Sequence, residues 1–209
     1  MKTLDYILDK LSLSFDETTL MPIEIPNLGR AQLAELFEEL NYKNGAEIGV
    51  LGGEYSELLC RNNPGLKLYG IDPYKIYDPY KTQLILDEYK KVATDRLAPY
   101  NYHLIEKTSQ EAVNDFIDGS LDFVYIDGDH KYENIASDIN LWSKKVRPGG
   151  IISGHDYVRL TNPNLTDVID AVHDYVKVNN IRPWFVLGLK KKYRGMVRDR
   201  YRFWMWVKS

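Results

Sequence analysis

The sequence has 209 residues, the usual length of one domain, and its 44% hydrophobic and 27% charged residues exclude a disordered chain. The net charge of -3 gives no indication of a polyanionic partner. The single cysteine, Cys60, excludes an internal disulfide and is typical of a reducing compartment. The sequence shows neither a secretory leader nor an apolar run of about 18 residues. We therefore expect a cytoplasmic protein with no membrane partner.

The first 28 residues are predicted to be an N-terminal extension, and residues 29–209 a single further domain. A short helix in the extension is predicted from four apolar residues at helical spacing, Leu4, Ile7, Leu8 and Leu11. The run PIEIPNLG then interrupts this pattern, because its two prolines and its glycine are poor helix formers. A second helix is predicted over residues 30–41.

After residue 41, short apolar runs alternate with amphipathic segments. Strands are predicted at residues 46–50, 66–72, 102–107, 121–127 and 149–155. Helices are predicted at residues 54–61, 80–97, 109–116, 134–144 and 166–178. Because the strand runs are too continuously apolar for a sheet with one wet face, the alternation predicts an α/β fold whose parallel sheet is covered on both sides.

Two last strands are predicted at residues 184–189 and 201–207, with no helix between them. They are expected to form a hairpin, so that one of them runs antiparallel to the rest of the sheet. In an open parallel sheet, ligands bind beyond the carboxyl ends of the strands. The motifs at those ends are therefore the candidates for function.

The first motif, EIGVLGGEYS, leaves a strand at Glu47 and enters a helix that contains Ser56. Gly49 permits a tight turn close to a ligand, and Gly52 or Gly53 lets the backbone approach it further, with a helix N-terminus following. Glu47 lies within an apolar strand, which is unfavourable unless the acid meets a cation or a hydrogen-bond donor. An ordinary glycine turn is the alternative interpretation.

The next two strand ends also carry polar side chains. Asp72 can accept hydrogen bonds from both ribose hydroxyls of an adenosine ligand, and capping of a helix is the alternative. After the following strand, Thr108 and Glu111 predict a capping box at a helix start. In a nucleotide-binding fold, the adjacent Ser109 would lie beside the adenine.

Two neighbouring strand ends each offer a carboxylate and an imidazole. Asp127 ends the run LDFVYID and is followed by His130, while His155 and Asp156 follow PGGIISG. A histidine can remove a proton near neutral pH, and carboxylates can bind a divalent metal ion. We therefore predict a metal or acid–base site from these four residues, although either histidine alone could be a solvated loop residue.

Taken together, E-x-G with its glycine loop, the IDPY acid, the DGDHxY end and the PGGxxxGHDY end resemble a class I S-adenosylmethionine-dependent methyltransferase of the methyltransferase-24 type. The resemblance covers about residues 28–160. It implies a Rossmann-like three-layer sandwich with a seven-stranded, mostly parallel sheet, in the strand order 3-2-1-4-5-7-6 and with an antiparallel C-terminal strand. It also implies S-adenosyl-L-methionine as the cofactor.

The resemblance implies a set of cofactor-binding residues along these motifs. It places Glu47 and the glycine loop under the methionine part of the cofactor, Asp72 at the ribose and Ser109 beside the adenine. The loop reads E-x-G-x-x-G-G and so departs from the G-x-G-x-x-G of dinucleotide dehydrogenases. The candidate cofactor-binding residues are Glu47, Gly49, Gly52, Gly53, Tyr55, Ser56, Asp72, Ser109 and Asp127.

The sequence is also similar, more weakly, to metal-dependent O-methyltransferases that act on catechols and antibiotic sugars. In those enzymes, an acid after strand four and an acid pair after strand five bind magnesium. Asp127, His155 and Asp156 are accordingly the candidate Mg²⁺ ligands, with His155 standing where that family has a carboxylate. The sugar enzymes place their general base three residues after the first acid, which implies His130 and Asp127 as catalytic residues.

We therefore expect O-methylation of a small hydroxylated acceptor such as a sugar. The first alternative is a methyltransferase for RNA or another anionic polymer, because residues 190–202 read KKKYRGMVRDRYR. The negative net charge and the lack of an RNA-binding motif instead favour a solvated hairpin, which could meet an acidic surface of a second copy in a homo-oligomer. The second alternative is an NAD-linked oxidoreductase or a non-catalytic nucleotide-binding module.

Overall fold

The computed structural model describes residues 2–76, 82–159, 167–188 and 201–209. Within these ranges, eight strands and seven α-helices follow one another along the chain, with a 3-10 turn at Val113–Asp115. The strands are β1 Ile23–Ile25, β2 Asn44–Ile48, β3 Lys67–Ile71, β4 Tyr102–Ile105, β5 Leu121–Ile126, β6 Val146–Gly154, β7 Phe185–Leu187 and β8 Phe203–Val207. The helices are α1 Thr3–Lys10, α2 Arg30–Glu39, α3 Glu54–Asn62, α4 Gln83–Leu97, α5 Ser109–Ala112, α6 Tyr132–Lys145 and α7 Val168–Val178.

All strands belong to one sheet with the order β1-β7-β8-β6-β5-β2-β3-β4. Without β1, and counted from the β4 edge, this is the predicted order 3-2-1-4-5-7-6. The strand β8 pairs antiparallel with both β6 and β7, while the other pairs are parallel. The structure therefore confirms the Rossmann-like α/β fold and its antiparallel C-terminal strand.

The predicted number of seven strands was too low by one, because β1 adds an edge strand beside β7. This strand has only three residues, and it lies between Pro22 and Pro26. Proline cannot donate a hydrogen bond to a sheet, so prolines on both sides limit a strand to a short stretch at an edge. A run this short carries too little periodicity to be recognised from the sequence.

The N-terminal residues pack on the core of the main sheet. Ile7 of α1 and Ile25 of β1 lie in the same buried cluster as Phe37 of α2 and Phe123 of β5. The hydroxyl of Thr3 donates a 2.6 Å hydrogen bond to the carbonyl oxygen of Gly149 in β6. The boundary at residue 28 stays a prediction, and the extension and the sheet share one apolar core.

Residues of β5 show how the sheet is buried on both faces. Phe123 and Tyr125 belong to the apolar cluster under α2 and α3, whereas Val124 and Ile126 belong to the cluster on the other face with Trp142 of α6. Because successive side chains of a strand point to opposite faces, burial of both sets requires a covering layer on each side. This is the predicted three-layer sandwich.

Some sequence predictions fall partly outside the described residues. The helix predicted at residues 80–97 is described from residue 83, as α4. Most of the basic segment 190–202 lies outside, and its described end, Arg202, contacts Glu24 at 3.3 Å. The first residue of the helix predicted at 166–178 and the last residue of the strand predicted at 184–189 also lie outside. Among the described helices, none has the length and apolar character needed to cross a bilayer.

Candidate functional site

The register of the sheet brings four strand ends together at one edge. Ile48 of β2 lies opposite both Ile71 of β3 and Ile126 of β5, and Ile126 lies opposite Gly154 of β6. The residues that follow each strand therefore emerge side by side. This is the edge of an open parallel sheet at which ligands bind.

A cavity of about 560 Å³ opens at this edge, within the size range of small-molecule sites. It lies over the ends of β2, β3 and β5 and extends toward the starts of α2 and α5. Its polar lining residues are Arg30, Glu47, Glu54, Tyr55, Asp72, Thr108, Ser109, Gln110, Asp127, Asp129, His130, Asn134 and Asp138.

The glycine loop after β2 is shaped by its packing against the protein. Gly49 has φ +88°, and a Cβ atom there would clash with the backbone carbonyl of Asp127. Gly53 has φ +76°, and its Cβ atom would lie 2.9 Å from the side chain of Leu97 in α4. Gly49 lines the cavity, whereas Gly52 and Gly53 lie outside the described lining. The last two glycines set the course of the loop rather than the surface of the cavity.

At the end of β2, a buried carboxyl group faces the cavity. Glu47 is 2% exposed and accepts a short hydrogen bond from the hydroxyl of Ser56 in α3. Burial raises the pKa of Glu47 to about 8, although this hydrogen bond opposes the shift. Glu47 thus has the donor partner that its sequence position required. Ser56 is fully buried and is not among the residues that line the cavity, so its effect on the cavity is to orient the carboxyl group of Glu47.

Two further side chains extend this end of the cavity. Arg30, the first residue of α2, has its guanidinium group 5.2 Å from the ring centre of Tyr55. The ring of Tyr55 in turn packs at 4.4 Å against that of Tyr125 in β5. Arg30 lies close enough to Glu47 for its positive charge to oppose the rise in pKa that burial causes. A positive charge and a buried acid therefore lie at the same end of the site.

The carboxylate of Asp72 organises the loop across the sheet edge. Its Oδ2 atom accepts hydrogen bonds from the amides of Val50 and Leu51, at 3.0 and 3.1 Å. Its Oδ1 atom accepts a 2.9 Å hydrogen bond from the amide of Tyr74. Asp72 also lines the cavity, so that lone pairs of the same carboxylate can face a ligand.

The opposite end of the cavity is closed by α5 and α6. Thr108 caps α5 in the predicted box with Glu111, and the hydroxyl of Ser109 donates a short hydrogen bond to Asp138 of α6. Asp138 is 3% exposed, and burial raises its pKa to about 6. The sequence analysis did not identify Asp138, although an acid that shares a helix face with Ile135, Ile139 and Trp142 was a usable signal.

The two carboxylate–imidazole pairs meet beside the cavity. Nε2 of His130 lies 2.7 Å from Oδ2 of Asp156 and 3.8 Å from Oδ1 of Asp127. Nδ1 of His155 lies 3.2 Å from Oδ1 of Asp156 and 3.7 Å from Oδ1 of Asp127. Asp127, His130 and Asp156 each offer one ligand atom within 4.8 Å of the others, which a single metal ion could bridge. We call these four residues the Asp–His cluster.

Electrostatics within the Asp–His cluster are strongly coupled. Burial lowers the pKa of His130, but the carboxylates of Asp127 and Asp156 outweigh it and raise that pKa to about 10. Burial raises the pKa of Asp156, and the two imidazoles outweigh it and hold that pKa well below its usual range. Without a bound cation, His130 therefore carries a proton at neutral pH.

The structure gathers most of the predicted site residues around one cavity. Asp127 and His130 line it, while His155 and Asp156 are adjacent through their contacts with Asp127 and His130. Sequence reasoning missed Arg30 and Asp138, both of which come from helices. The predicted cofactor-binding residues that line the cavity are Glu47, Gly49, Tyr55, Asp72, Ser109 and Asp127.

Comparisons with known proteins agree with this geometry. The sequence profile of the methyltransferase-24 family, described as a methyltransferase domain, matches residues 46–157, more than half of the chain. An uncharacterized protein of Acanthamoeba polyphaga mimivirus is 31% identical over 133 residues, which are 60% of this chain and 56% of that protein. The chain thus matches little more than half the length of this relative.

Solved structures show the same fold. A protein of Klebsiella pneumoniae, provisionally named an O-methyltransferase, superposes with a TM-score of 0.61 at 21% identity, over 99% of this chain and 90% of that one. An O-methyltransferase of Bacillus cereus in complex with SAH gives 0.57 at 18% identity, over 99% of this chain and 90% of that one. At such identities, the likeness concerns the fold alone.

Proposed function

We propose that this chain, which belongs to the methyltransferase-24 family, transfers the methyl group of S-adenosylmethionine to a hydroxyl oxygen of a small acceptor such as a sugar. One observation carries the proposal above the others. The cavity combines an acid at the end of β3, a glycine turn at the end of β2 and, after β5, Asp127 and His130 of the Asp–His cluster. The first two suit an adenosine ligand, and the third suits a hydroxylated acceptor beside it.

The adenosine part of the cofactor fits the end of the cavity between β3 and α6. Asp72 offers carboxylate oxygens where the two ribose hydroxyls need acceptors. The half-buried Ser109 and the buried Asp138 form a hydrogen-bonded polar pair that suits the edge of an adenine ring, which presents both donors and acceptors. In this assignment, Asp138 extends the predicted adenine contact beyond Ser109.

The amino-acid part of the cofactor carries an ammonium and a carboxylate group, and the cavity presents partners for both. Arg30 supplies a positive charge for the carboxylate. Glu47 supplies a buried carboxyl group, which accepts a hydrogen bond from the ammonium group once the carboxyl group ionises. The ring of Tyr55 also lines the cavity and packs against the guanidinium group of Arg30. Ser56 is a positioning residue that holds Glu47.

When bound, S-adenosylmethionine supplies a sulfonium methyl group that the acceptor oxygen attacks, with the C–S electron pair leaving on S-adenosylhomocysteine. The protein has to position that oxygen and to take up its proton. The Asp–His cluster lies where both tasks can be done. A divalent ion on Asp127 and Asp156 would act as a Lewis acid that lowers the pKa of the hydroxyl.

Two alternative roles were considered for His130, that of a general base and that of a metal ligand. With its pKa raised to about 10, the metal-free imidazole holds its proton at neutral pH and cannot accept another. Asp127 and Asp156 remain able to orient acceptor hydroxyls through hydrogen bonds in either case.

The alternatives lack support in the described residues. Most of the basic segment that favours an anionic polymer lies outside those residues, and its described end, Arg202, already contacts Glu24. For an NAD-linked enzyme, the glycine loop has the wrong pattern, and Gly52 and Gly53 support the loop from outside the described cavity lining. The small-molecule acceptor is therefore the proposal that we retain.

A methyl-transfer screen tests the proposed function. The protein would be incubated with S-adenosylmethionine and monosaccharides, catechols or RNA, with added Mg²⁺, Mn²⁺ or EDTA, and S-adenosylhomocysteine formation measured. We expect turnover with a hydroxylated small molecule that Asp127→Asn reduces and the exposed control Asp95→Asn does not. Methylation of RNA alone would contradict the assigned acceptor class.

A further inference from the structure

We infer that Asp127, His130 and Asp156 bind a divalent first-row transition-metal ion such as Co²⁺ or Zn²⁺ in preference to Mg²⁺. The resemblance that led to this cluster implied magnesium. The side chains present here point to a different ion. The role of the ion in acceptor activation rests on the proposed function, but its binding requires neither cofactor nor acceptor.

The spacing of the donor atoms suits one ion. With bonds of about 2.1 Å, neighbouring ligand atoms lie about 3.0 Å apart in an octahedral site and about 3.4 Å apart in a tetrahedral site. Nε2 of His130 lies 2.7 Å from Oδ2 of Asp156 and 3.8 Å from Oδ1 of Asp127, and one ligand atom from each of the three residues lies within 4.8 Å of the others. The two imidazole–carboxylate distances bracket the expected values.

The position of His130 suits a metal ligand. Its Nε2 atom is buried and lies 2.7 Å from Oδ2 of Asp156 and 3.8 Å from Oδ1 of Asp127. An imidazole and two carboxylates that converge in this way can share one cation, and a metal ion would displace the proton of the imidazole when it binds.

The chemistry of the donors decides the kind of ion. Mg²⁺ prefers an octahedral set of oxygen ligands, including several waters, whereas imidazole nitrogen favours iron, cobalt, nickel, copper and zinc. In the Asp–His cluster, the ligand atoms that converge are two carboxylate oxygens and the imidazole nitrogen of His130. A mixed set of this kind fits a transition-metal ion better than Mg²⁺.

The backbone holds the ligands in place before any ion arrives. The amide of Asp127 donates a 2.8 Å hydrogen bond to Ile48, and the amide of His155 donates one of 3.0 Å to Ile126. The carbonyl oxygen of His130 accepts a 3.0 Å hydrogen bond from the amide of Asp167 at the start of α7. Asp156 has φ +55°, a conformation that aspartate tolerates, and its carboxylate contacts both His130 and His155.

Calorimetric titration of the metal-free protein with CoCl2, ZnCl2 and MgCl2 tests the inference, with the visible spectrum of bound Co²⁺ as an independent readout. We expect Co²⁺ and Zn²⁺ to bind at least about 100-fold more tightly than Mg²⁺, in line with their preference for nitrogen ligands. Equal or tighter Mg²⁺ binding, or no binding of any of the three ions, would overturn the inference.

Single substitutions assign the ligands. His130→Ala should weaken Co²⁺ binding by about tenfold or more and change its visible spectrum, because it removes the nitrogen ligand. The control is His103→Ala, since His103 is exposed on β4 and reports adventitious binding to a surface histidine. Unchanged Co²⁺ affinity and spectrum in His130→Ala would show that His130 is not a ligand and would overturn the inference.

Titration of the same proteins with S-adenosylhomocysteine separates this inference from the proposed function and verifies that the variants are folded. Metal binding without S-adenosylhomocysteine binding would leave the metal site standing and refute the methyltransferase assignment. S-adenosylhomocysteine binding without metal binding would refute the metal site and leave the methyltransferase assignment standing. For a variant that fails to fold, the wild-type preference between Co²⁺ and Mg²⁺ still decides the question.

Discussion

Glu47 combines complete burial with an ionisable group at the end of a central strand. Such a position is unfavourable for a charge, and the protein holds the group neutral at physiological pH by raising its pKa to about 8. The short hydrogen bond from Ser56 then fixes which way the carboxyl group faces. A ligand ammonium group would favour ionisation, so binding and protonation of Glu47 should be linked.

The buried state of Glu47 predicts a pH dependence of stability. Its folded pKa of about 8 lies above the ordinary value of 4.5, so its contribution to stability is fully present below pH 4.5 and is lost as the pH rises to 8. Glu47→Gln removes this titration. The free energy of unfolding of the wild type should therefore fall from pH 5 to pH 8 by a few kcal/mol relative to the variant, at about 1.4 kcal/mol per pKa unit.

Urea denaturation of both proteins at several pH values measures this difference. Parallel profiles of the wild type and Glu47→Gln would mean that Glu47 is ionised in the folded protein.

Asp72 is predicted to contribute directly to cofactor affinity. Asp72→Asn keeps the size of the side chain but removes its charge and one acceptor oxygen. We expect S-adenosylhomocysteine affinity to fall by about 10- to 100-fold, since hydrogen bonds to charged groups contribute about 1.5–3 kcal/mol. Calorimetry with Asp95→Asn, an exposed acid of α4, as the control checks the effect. An affinity within twofold of the wild type would remove Asp72 from the ribose site.

Local sequence could indicate only some of the site residues. Asp72, Asp127 and His155 directly follow apolar runs, and the pattern of one strand is enough to place them at a sheet edge. Arg30 and Asp138 belong to helices, and their position over the cavity depends on how α2 and α6 pack against the sheet. Packing of that kind is a property of the whole core rather than of a short segment.

Among the elements, the ends of β2 and β5 approach each other closely enough to require a glycine. At Gly49, both a positive φ and the nearby carbonyl of Asp127 exclude a side chain. From the sequence, Gly49 was expected to permit a tight turn close to a ligand. In the structure, the close approach of Asp127 at the end of β5 already explains why residue 49 is a glycine. Gly49 also lines the cavity.

Gly49→Ala should therefore destabilise the fold strongly. We expect a loss of about 2–5 kcal/mol, because left-handed backbone costs about 1–2 kcal/mol and overpacking about 1–3 kcal/mol. The control is Gly65→Ala, whose Cβ atom would meet only the flexible end of Lys43 and whose effect should stay within about 1 kcal/mol. Chemical denaturation compares the two, and similar losses would contradict the close approach of β2 and β5.

The main strands could be predicted because short apolar runs alternate with helices, and their order was implied by the resemblance to class I methyltransferases. The three residues of β1 could not, since their pairing with β7 depends on a partner more than 150 residues away in the chain. Its register places Ile23 opposite Phe185 and Ile25 opposite Leu187. Tertiary contacts, not local propensity, select the strand conformation there.

At the scale of the whole molecule, the N-terminal segment contributes to the core of the sheet. Ile7 is fully buried among residues of that core, whereas Leu20 is 87% exposed. Ile7→Ala should lower the free energy of unfolding by about 2–4 kcal/mol, and Leu20→Ala should change it by less than about 0.5 kcal/mol. Urea denaturation measures both values. Equal, small effects would mean that the segment is dispensable for the fold.

The central claim is that the cavity binds the products and substrates of methyl transfer. Calorimetric titration of the purified protein with S-adenosylhomocysteine, with NAD run alongside, tests it most directly. We predict S-adenosylhomocysteine binding near micromolar Kd, about -8 kcal/mol, and no NAD binding. Binding of NAD without S-adenosylhomocysteine would contradict the methyltransferase assignment.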